Sequence, residues 1–344
     1  MTGLRAGVAL APLTTLRVGG PAARLAECTT EADLVEAVRT ADAAGEPVLV
    51  LGGGSNVVVA DDGFPGTVVR VMTAGEQVTR DGDTVVVTLE AGENWDDVVV
   101  RCVEEGLAGV EFLSGVPGLT GATPIQNVGA YGQEVAETIE AVRVLDRHTG
   151  EITEMTPEEC AFTYRDSVFK SDDRRVVLAV TFRLRDGGLS APVRYAEVAR
   201  VLGVEEGGQV PLAVAREAVL ELRTGKGMVL QEDDHDTWSA GSFFTNPLVD
   251  GQTAARLPDD TRRWPMPDGR VKVSAAWLIE HAGFGKGYGN GFAKISTKHT
   301  LALTNRGGAT TADLLALARE VRGGVLTAFD VELTCEPVLV GEKL

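Results

Sequence analysis

A run of three glycines between two short apolar segments constrains the fold of this chain more than any other feature. The run, Gly52-Gly53-Gly54, is followed by Ser55 and Asn56. Segments 47–51 and 57–60 on either side have the composition of β-strands. Because glycine has no Cβ, the backbone N–H groups of such a turn can converge on a phosphate, with Ser55 and Asn56 as further donors. An ordinary tight turn is the alternative. A Rossmann site is disfavoured, because the run is not GxGxxG and a strand follows it.

A second glycine-rich segment, SGVPGLTGATPIQNVGAY at 114–131, supports the first. A loop of this length inside a compact domain is usually either functional or disordered. The segment is almost uncharged and carries Leu119, Ile125 and Tyr131, which argues against disorder. We therefore expect two facing loops that hold a dinucleotide, with the pyrophosphate on one loop and a flat ring system on the other.

Capping signals and apolar periodicity predict an α+β chain. Thr30-Glu31-Ala32-Asp33 has the pattern of a capping box, and Asn94 has the position of a second N-cap. Strands are predicted at 47–51, 57–60, 67–72, 84–90, 176–185 and 331–340, a hairpin at 142–153, and longer helices at 211–223, 274–282 and 311–328. The strand-rich part and the more helical part are expected to meet near Asp186-Gly187-Gly188.

Charge and cysteine usage restrict the partners of this chain. Its formal net charge of -18 would repel nucleic acid and anionic membrane surfaces. An anionic small molecule would therefore need a local cluster of basic and N–H groups. The cysteines form no CxxC pair, which speaks against a metal site and favours a reduced, cytoplasmic protein. No run approaches the ~20 apolar residues of a membrane span.

Three later segments complete a recognisable set. They are Tyr164-Arg165-Asp166-Ser167-Val168-Phe169-Lys170, Ala240-Gly241-Ser242-Phe243-Phe244-Thr245-Asn246-Pro247 and Glu336-Pro337-Val338-Leu339-Val340-Gly341. Together with GGGSN and PGLTGATPIQNVGAYG, they resemble the UDP-N-acetylenolpyruvoylglucosamine reductase (UDP-N-acetylmuramate dehydrogenase) family. The resemblance extends from about Thr15 to Gly341. Each motif is moderately specific, whereas all five in this order are highly specific.

The resemblance implies a fold and an activity. The implied fold is an FAD-binding domain of the vanillyl-alcohol oxidase (PCMH) type in two α+β subdomains, expected at 16–186, and an α+β substrate-binding domain, expected at 210–341. The implied reaction is the NADPH-dependent reduction of UDP-N-acetylglucosamine enolpyruvate to UDP-N-acetylmuramate through FAD, in peptidoglycan synthesis. NADPH reduces the flavin and leaves, hydride then goes to the methylene carbon of the substrate, and an acid protonates the neighbouring carbon. We expect noncovalent FAD, because the flavin loops contain no His-Cys pair that could form a covalent link. We also expect a monomer.

The chemistry of three residues agrees with the catalytic roles that the resemblance implies. Hydride addition leaves negative charge that needs a fixed cation, and Arg165 lies among aromatic residues that would exclude water. Ser242 is a small hydroxyl on an apolar loop and fits a proton donor. Glu336 aligns with the catalytic carboxylate of the family, although Cys335 stands where many members have Pro. The alternatives are a salt bridge from Arg165 to Asp166 or a neighbour, a turn serine, and a surface carboxylate.

The resemblance also implies ligand contacts. Lys226 aligns with a ligand of the substrate diphosphate, with a solvated lysine as the alternative, and Tyr195, Asn246 and His299 match further substrate contacts. Trp264 lies in the segment that closes over the UDP group in one subtype of the family, which has Tyr there. The expected cofactor contacts are Gly52, Gly53, Gly54, Ser55, Asn56, Gly115, Pro117, Gly118, Gly121, Ala122, Gln126, Asn127, Gly129 and Ala130.

Two other functions are compatible with the same FAD domain. One is a hydroxy-acid oxidase or dehydrogenase, which would show rapid reoxidation of the flavin by air. The other is a flavin- or nucleotide-binding module, which would show no NADPH turnover. Arg165, Ser242 and Glu336 argue against both, since neither needs a hydroxyl acid on an apolar loop.

Overall fold

The computed structural model describes residues 3–170 and 172–344. The strands are β1 Arg5–Ala9, β2 Pro21–Cys28, β3 Val48–Leu51, β4 Val57–Val59, β5 Phe64–Val71, β6 Glu76–Asp81, β7 Thr84–Glu90, β8 Leu107–Ala108, β9 Gly129–Ala130, β10 Gln133–Glu134, β11 Ile139–Asp146, β12 Ile152–Met155, β13 Arg175–Asp186, β14 Leu248–Val249, β15 Arg263–Pro265, β16 Val271–Val273, β17 Ala293–Ile295, β18 Leu303–Asn305 and β19 Val338–Val340. The helices are α1 Glu31–Ala43, α2 Trp95–Glu104, α3 Pro157–Cys160, α4 Ala196–Leu202, α5 Leu212–Gly225, α6 Gly251–Arg256, α7 Ala275–His281 and α8 Thr311–Phe329.

The chain forms two compact units that are not contiguous in sequence. Among the described residues, the first contains 3–8, 22–53, 65–170 and 172–224, and the second contains 9–21, 54–64 and 225–344. The predicted change from a strand-rich to a more helical part at Asp186-Gly187-Gly188 does not coincide with a boundary between these units. The first unit continues through α4 and most of α5.

The first unit is built on two sheets. One has the strand order β1-β2-β5-β3, and β3 and β5 run parallel, with Val48 opposite Thr67. The other is antiparallel, with the order β12-β11-β13-β7-β6 and with β8 paired to β13. Trp95, Phe182 and Leu89 lie in the core that packs against these sheets.

Local signals place helices α1 and α2 of the first unit where the sequence predicts them. Thr30 accepts a hydrogen bond from the Asp33 amide and begins α1, and Asn94 accepts from the amides of Asp96 and Asp97 and begins α2. The predicted hairpin at 142–153 is formed by β11 and β12.

The second unit has a separate core around α7 and α8, with Phe243, Phe244 and Leu278 among its buried residues. A small sheet has the order β14-β16-β15, β17 pairs with β18, and β19 runs parallel to β4. No helix within 3–170 or 172–344 is both long enough and apolar enough to cross a membrane.

The predicted final strand at 331–340 is wrong in extent, because the strand covers only β19. Before it, Cys335 forms an isolated antiparallel bridge with Phe244. Pro337 then interrupts the ladder because it has no backbone N–H to donate. The chain changes partners at this proline, so that Val338 pairs with Val57 in β4.

A carboxylate from a loop distant in sequence accepts hydrogen bonds from the first turn of helix α8. The two oxygens of Asp61 accept from the backbone amides of Thr311 at 2.8 Å and of Ala312 at 2.9 Å. Thr311 Oγ1 also donates to the carbonyl of Val59 at 2.6 Å. The first turn of a helix has unpaired N–H groups and a positive dipole end, and both favour a carboxylate at this position.

Replacing Asp61 by alanine should therefore lower the free energy of unfolding by about 1 kcal/mol, because two amides of α8 lose their acceptor. Urea unfolding of the whole chain measures this change. Asp62→Ala is the matched control, since Asp62 is the next residue and is also exposed. Equal losses in the two variants would show that the Asp61 bonds to α8 contribute nothing specific.

Candidate functional site

The two glycine-rich loops meet backbone to backbone in the first unit. A Cβ built on Gly53 would lie 2.9 Å from the Cα of Gly118, and one on Gly52 would lie 3.5 Å from the Leu119 side chain. The carbonyl of Gly118 accepts from the Trp95 amide at 3.1 Å, which ties this loop to the start of α2. The predicted facing arrangement of the loops is therefore present, and at Gly53 it requires the absence of a side chain.

The middle of the second loop packs closely against the turn at 91–93, which follows β7. The amide of Thr120 donates to the carbonyl of Glu93 at 2.8 Å, and the amide of Gly121 donates to that of Ala91 at 2.9 Å. A Cβ on Gly121 would come within 2.5 Å of the Ala91 Cβ. Packing against Ala91 therefore accounts for the glycine at 121. The buried Oγ1 of Thr120 has no hydrogen-bond partner within the described part of the chain.

An ion pair fixes the beginning of the second loop. Asp96 accepts from the Gly115 amide at 2.6 Å and from two guanidinium nitrogens of Arg216 at 2.7 and 2.8 Å. Burial opposes ionisation of this carboxyl, but the bonds from Arg216 and Gly115 outweigh it and lower the pKa of Asp96. The carboxylate therefore stays charged at neutral pH and holds helix α5 to the loop.

Asn127 holds the end of the second loop. Its backbone is left-handed, with φ 45°. Its Nδ2 donates to Glu134 Oε2 at 2.8 Å and to the Thr163 carbonyl at 3.1 Å, and its Oδ1 accepts from the Ala136 amide at 3.2 Å. Both polar atoms of this side chain, which the resemblance assigns to the cofactor, thus bond within the protein and fix the loop.

Arg165 lies in a tight turn between Thr163 and Asp166, with a left-handed φ of 57°. Its guanidinium donates to the carbonyl of Gly129 at 2.5 Å and lies 5.2 Å from the Tyr164 ring centroid. Its Nη1 also forms an ion pair with Glu134 Oε1, at 3.7 Å. Strained backbone of this kind is concentrated at functional sites because the surrounding structure must maintain it.

The second unit contains the rest of the glycine run. The carbonyl of Gly54 accepts from the Thr15 amide at 3.1 Å, while Thr15 Oγ1 donates to the Ser239 carbonyl at 2.7 Å. Gly54 has φ 62°, and a Cβ there would lie 2.1 Å from the carbonyl oxygen of Leu13. This position therefore requires glycine on two independent grounds.

Main-chain bonds bring Ser242 and Glu336 into neighbouring segments of the second unit. The amide of Glu336 donates to the carbonyl of Phe243 at 2.9 Å. The amide of Val338 donates to the carbonyl of Asn56 at 3.0 Å, so Glu336 lies two residues before β19, the strand that pairs with β4 after the glycine run. The predicted acid and the predicted carboxylate therefore belong to two segments that a main-chain hydrogen bond joins directly.

The segment that carries His299 adjoins both Ser242 and Lys226. The amide of Phe243 donates to the carbonyl of Leu301 at 2.7 Å. A Cβ on Gly227, beside Lys226, would lie 3.3 Å from the side chain of Lys298. The His299 amide donates to Ser296 Oγ at 3.2 Å, which closes the turn. The structure therefore brings the segments of Lys226, Ser242 and His299 next to one another in the second unit.

The other predicted substrate residues have separate surroundings. Asn246 Oδ1 accepts from the Ala275 amide at 2.9 Å, at the first turn of α7. Tyr195 precedes α4 in the first unit, where its ring meets that of Tyr131 edge-on at 5.6 Å. Trp264 lies in β15, exposed, with Lys272 Nζ 5.6 Å from its ring centroid.

Sequence reasoning missed the residues that hold these loops in place, namely Thr15, Asp96, Glu134 and Arg216. Each acts through a partner that is distant in the chain, such as Ser239 for Thr15 and Arg216 for Asp96. A local pattern gives no signal for such pairs. Asp96 could be read only as an acidic residue in the first turn of α2.

Replacing Gly53 by alanine should weaken FAD binding, because the new Cβ would contact the Cα of Gly118 and force the loops apart. Overpacking of this kind costs about 1–3 kcal/mol. The flavin retained by the purified protein and the FAD dissociation constant measure the effect. Gly251→Ala is the control, since a Cβ there meets nothing within 4 Å. Full flavin retention by Gly53→Ala would contradict this account of the loops.

Family models match both parts of the chain. Residues 22–156 match an FAD binding domain, and residues 232–340 match the C-terminal domain of UDP-N-acetylenolpyruvoylglucosamine reductase. The first match lies over the strands and loops that carry Gly53 and Gly118, and the second includes Ser242, His299 and Glu336. The predicted fold, a PCMH-type FAD domain with a C-terminal substrate domain, is confirmed.

Full-length relatives agree. The UDP-N-acetylenolpyruvoylglucosamine reductase of Saccharopolyspora erythraea is 59% identical over 97% of this chain and 95% of its own length. That of Thermobifida fusca is 56% identical over 100% of this chain and 99% of its own. The crystal structure of the reductase from Thermus caldophilus covers 98% of both chains with a TM-score of 0.66 and 28% identity. The chain belongs to the UDP-N-acetylenolpyruvoylglucosamine reductase family.

Proposed function

We propose that this chain reduces UDP-N-acetylglucosamine enolpyruvate to UDP-N-acetylmuramate with NADPH, through noncovalently bound FAD. Family membership supports the reaction. The observation that carries the assignment of residues is the main-chain bond from Glu336 to Phe243, which sets the proposed carboxylate beside the segment of Ser242.

The first unit fits the cofactor. Backbone contact at Gly53 and Gly118 leaves no side chain between the loops. The buried Thr120 hydroxyl has no hydrogen-bond partner within the described part of the chain. Both features suit a ligand that brings its own hydrogen-bonding groups. When bound, FAD supplies the carrier that takes hydride from NADPH and gives it to the substrate. The predicted contacts in 52–56 and 115–130 remain our proposal for its site.

Three side chains are assigned to substrate reduction. Ser242 Oγ donates a proton to the carbon next to the substrate carboxylate. Glu336 hydrogen-bonds the developing enol. Arg165 stabilises the negative charge that spreads into the carboxylate, a role that suits a planar guanidinium fixed at two nitrogens.

Four further residues are assigned to the UDP-sugar. Lys226 binds the diphosphate, and Asn246, His299 and Tyr195 contribute further contacts. Trp264 can stack on a flat ring through its exposed indole, but it lacks the hydroxyl with which a tyrosine at this position could form a hydrogen bond.

We propose that the protein acts as a cytoplasmic monomer, with functional domains at 16–186 and 210–341. Its product would serve cell wall biogenesis, and through it cell shape and cell division.

Oxidase activity on the same fold is the rival function. An oxidase abstracts hydride from its substrate and needs no proton donor for a carbon. The arrangement of Ser242 beside Glu336 therefore favours the reductase. Rapid reoxidation of the reduced flavin by air, unaffected by changes at Ser242, would favour the oxidase.

Ser242→Ala should separate the two half-reactions. Reduction of the flavin by NADPH needs no acid from the protein and should stay within a few-fold of the normal rate. Reoxidation by the UDP-enolpyruvyl sugar should fall by about 10²–10⁴-fold, the usual contribution of a positioned general acid. Ser242→Cys should restore part of the rate, because a thiol can also donate a proton. Anaerobic stopped-flow absorbance measures each step.

Thr245→Ala serves as the control, because it removes a hydroxyl from the same segment that faces the Thr334 carbonyl. Both half-reactions should remain close to normal in this variant. Equal slowing of both steps by Ser242→Ala would make the serine a packing residue. Slowing of the first step alone would place it with NADPH instead of the substrate.

A further inference from the structure

Glu134 joins the second glycine-rich loop to Arg165. Its Oε2 accepts from Asn127 Nδ2 at 2.8 Å. Its Oε1 lies 3.7 Å from Nη1 of Arg165. One carboxylate thus contacts both the residue that shapes the loop end and the proposed cation. Neither the sequence motifs nor the assigned roles include Glu134.

The surroundings of Arg165 show how Gly129 and Glu134 pack against its guanidinium. The side chain has many rotamers, and the residue sits in a strained turn with φ 57°. The carbonyl of Gly129 accepts from Nη2 at 2.5 Å, which fixes this nitrogen. A Cβ on Gly129 would lie 2.7 Å from Nη1 and 2.8 Å from Glu134 Cγ. Glycine at 129 therefore leaves room for the guanidinium and the carboxylate to pack side by side.

We propose that Glu134 is a positioning residue for Arg165 in substrate reduction. The inference rests on the proposed function of Arg165. At 3.7 Å, Glu134 attracts Nη1 by charge at a separation beyond an ordinary hydrogen bond. Together with the Gly129 carbonyl it fixes the plane of the guanidinium. Asn127, at the end of the second glycine-rich loop, donates to the Glu134 carboxylate. The end of that loop therefore helps to align the Arg165 guanidinium.

Glu134→Gln tests the charge without removing the side chain. The glutamine oxygen can still accept from Asn127, so the loop should persist, while the attraction to Arg165 is lost. FAD content and flavin reduction by NADPH should be unchanged. Reoxidation by the UDP-enolpyruvyl sugar should slow by about 5- to 10-fold, as expected for loss of a partly exposed ion pair. A purely structural role would instead alter FAD content or both half-reactions.

Glu137→Gln is the matched control. Glu137 lies three residues further along and pairs with Arg194 at 2.9 Å, and its side chain is 40% exposed against 38% for Glu134. Both half-reactions should be normal in this variant. Arg165→Lys is measured in parallel and should slow reoxidation more than Glu134→Gln does.

The outcomes separate the inference from the function on which it rests. If Arg165→Lys slows reoxidation and Glu134→Gln does not, or speeds it by releasing the cation to the substrate, Glu134 does not position Arg165. If neither variant slows reoxidation, the proposed role of Arg165 itself fails. If Glu134→Gln loses FAD or slows both steps, the carboxylate is structural.

Discussion

Close approach of two backbones, at Gly53 and Gly118, is the constraint on which the rest of the first unit depends. A side chain at Gly53 would meet the Cα of Gly118, so any larger residue at position 53 would displace the loops. The protein fixes the second loop on both sides of this point. Asp96 and Arg216 hold Gly115, while Asn127 and Glu134 hold the end that leads to Gly129. Two loops fixed in this way suit a flat cofactor that must lie in one orientation.

The second unit uses hydrogen bonds between distant segments for a similar purpose. Thr15 bonds the carbonyls of Gly54 and Ser239, and Asn56 bonds the strand that follows Glu336. Main-chain hydrogen bonds join the segments of Ser242, His299 and Glu336, and these bonds fix the backbone positions from which the three side chains extend.

The sequence predicts the parts of this structure that are encoded locally. Caps at Thr30 and Asn94, the hairpin at 142–153 and the glycine run all act within a few residues, and each is found where the pattern places it. The predicted final strand is too long, because periodicity alone does not show that the chain changes its pairing partner at Pro337. The pairing of Asp96 with Arg216, 120 residues later, depends on tertiary structure and leaves no local trace. The same holds for segments 9–21 and 54–64, which belong to the second unit although in sequence they separate segments of the first.

Anaerobic absorbance of the purified protein tests the central claim most directly, namely that the paired glycine loops hold FAD for reduction of an enolpyruvyl sugar. The account predicts a yellow protein with one FAD per chain, released on denaturation and bleached by NADPH. The UDP-enolpyruvyl sugar should then restore the colour without oxygen, one molecule per flavin. A colourless protein that cannot be reconstituted with FAD, or a bleached protein that only air reoxidises, would contradict the account.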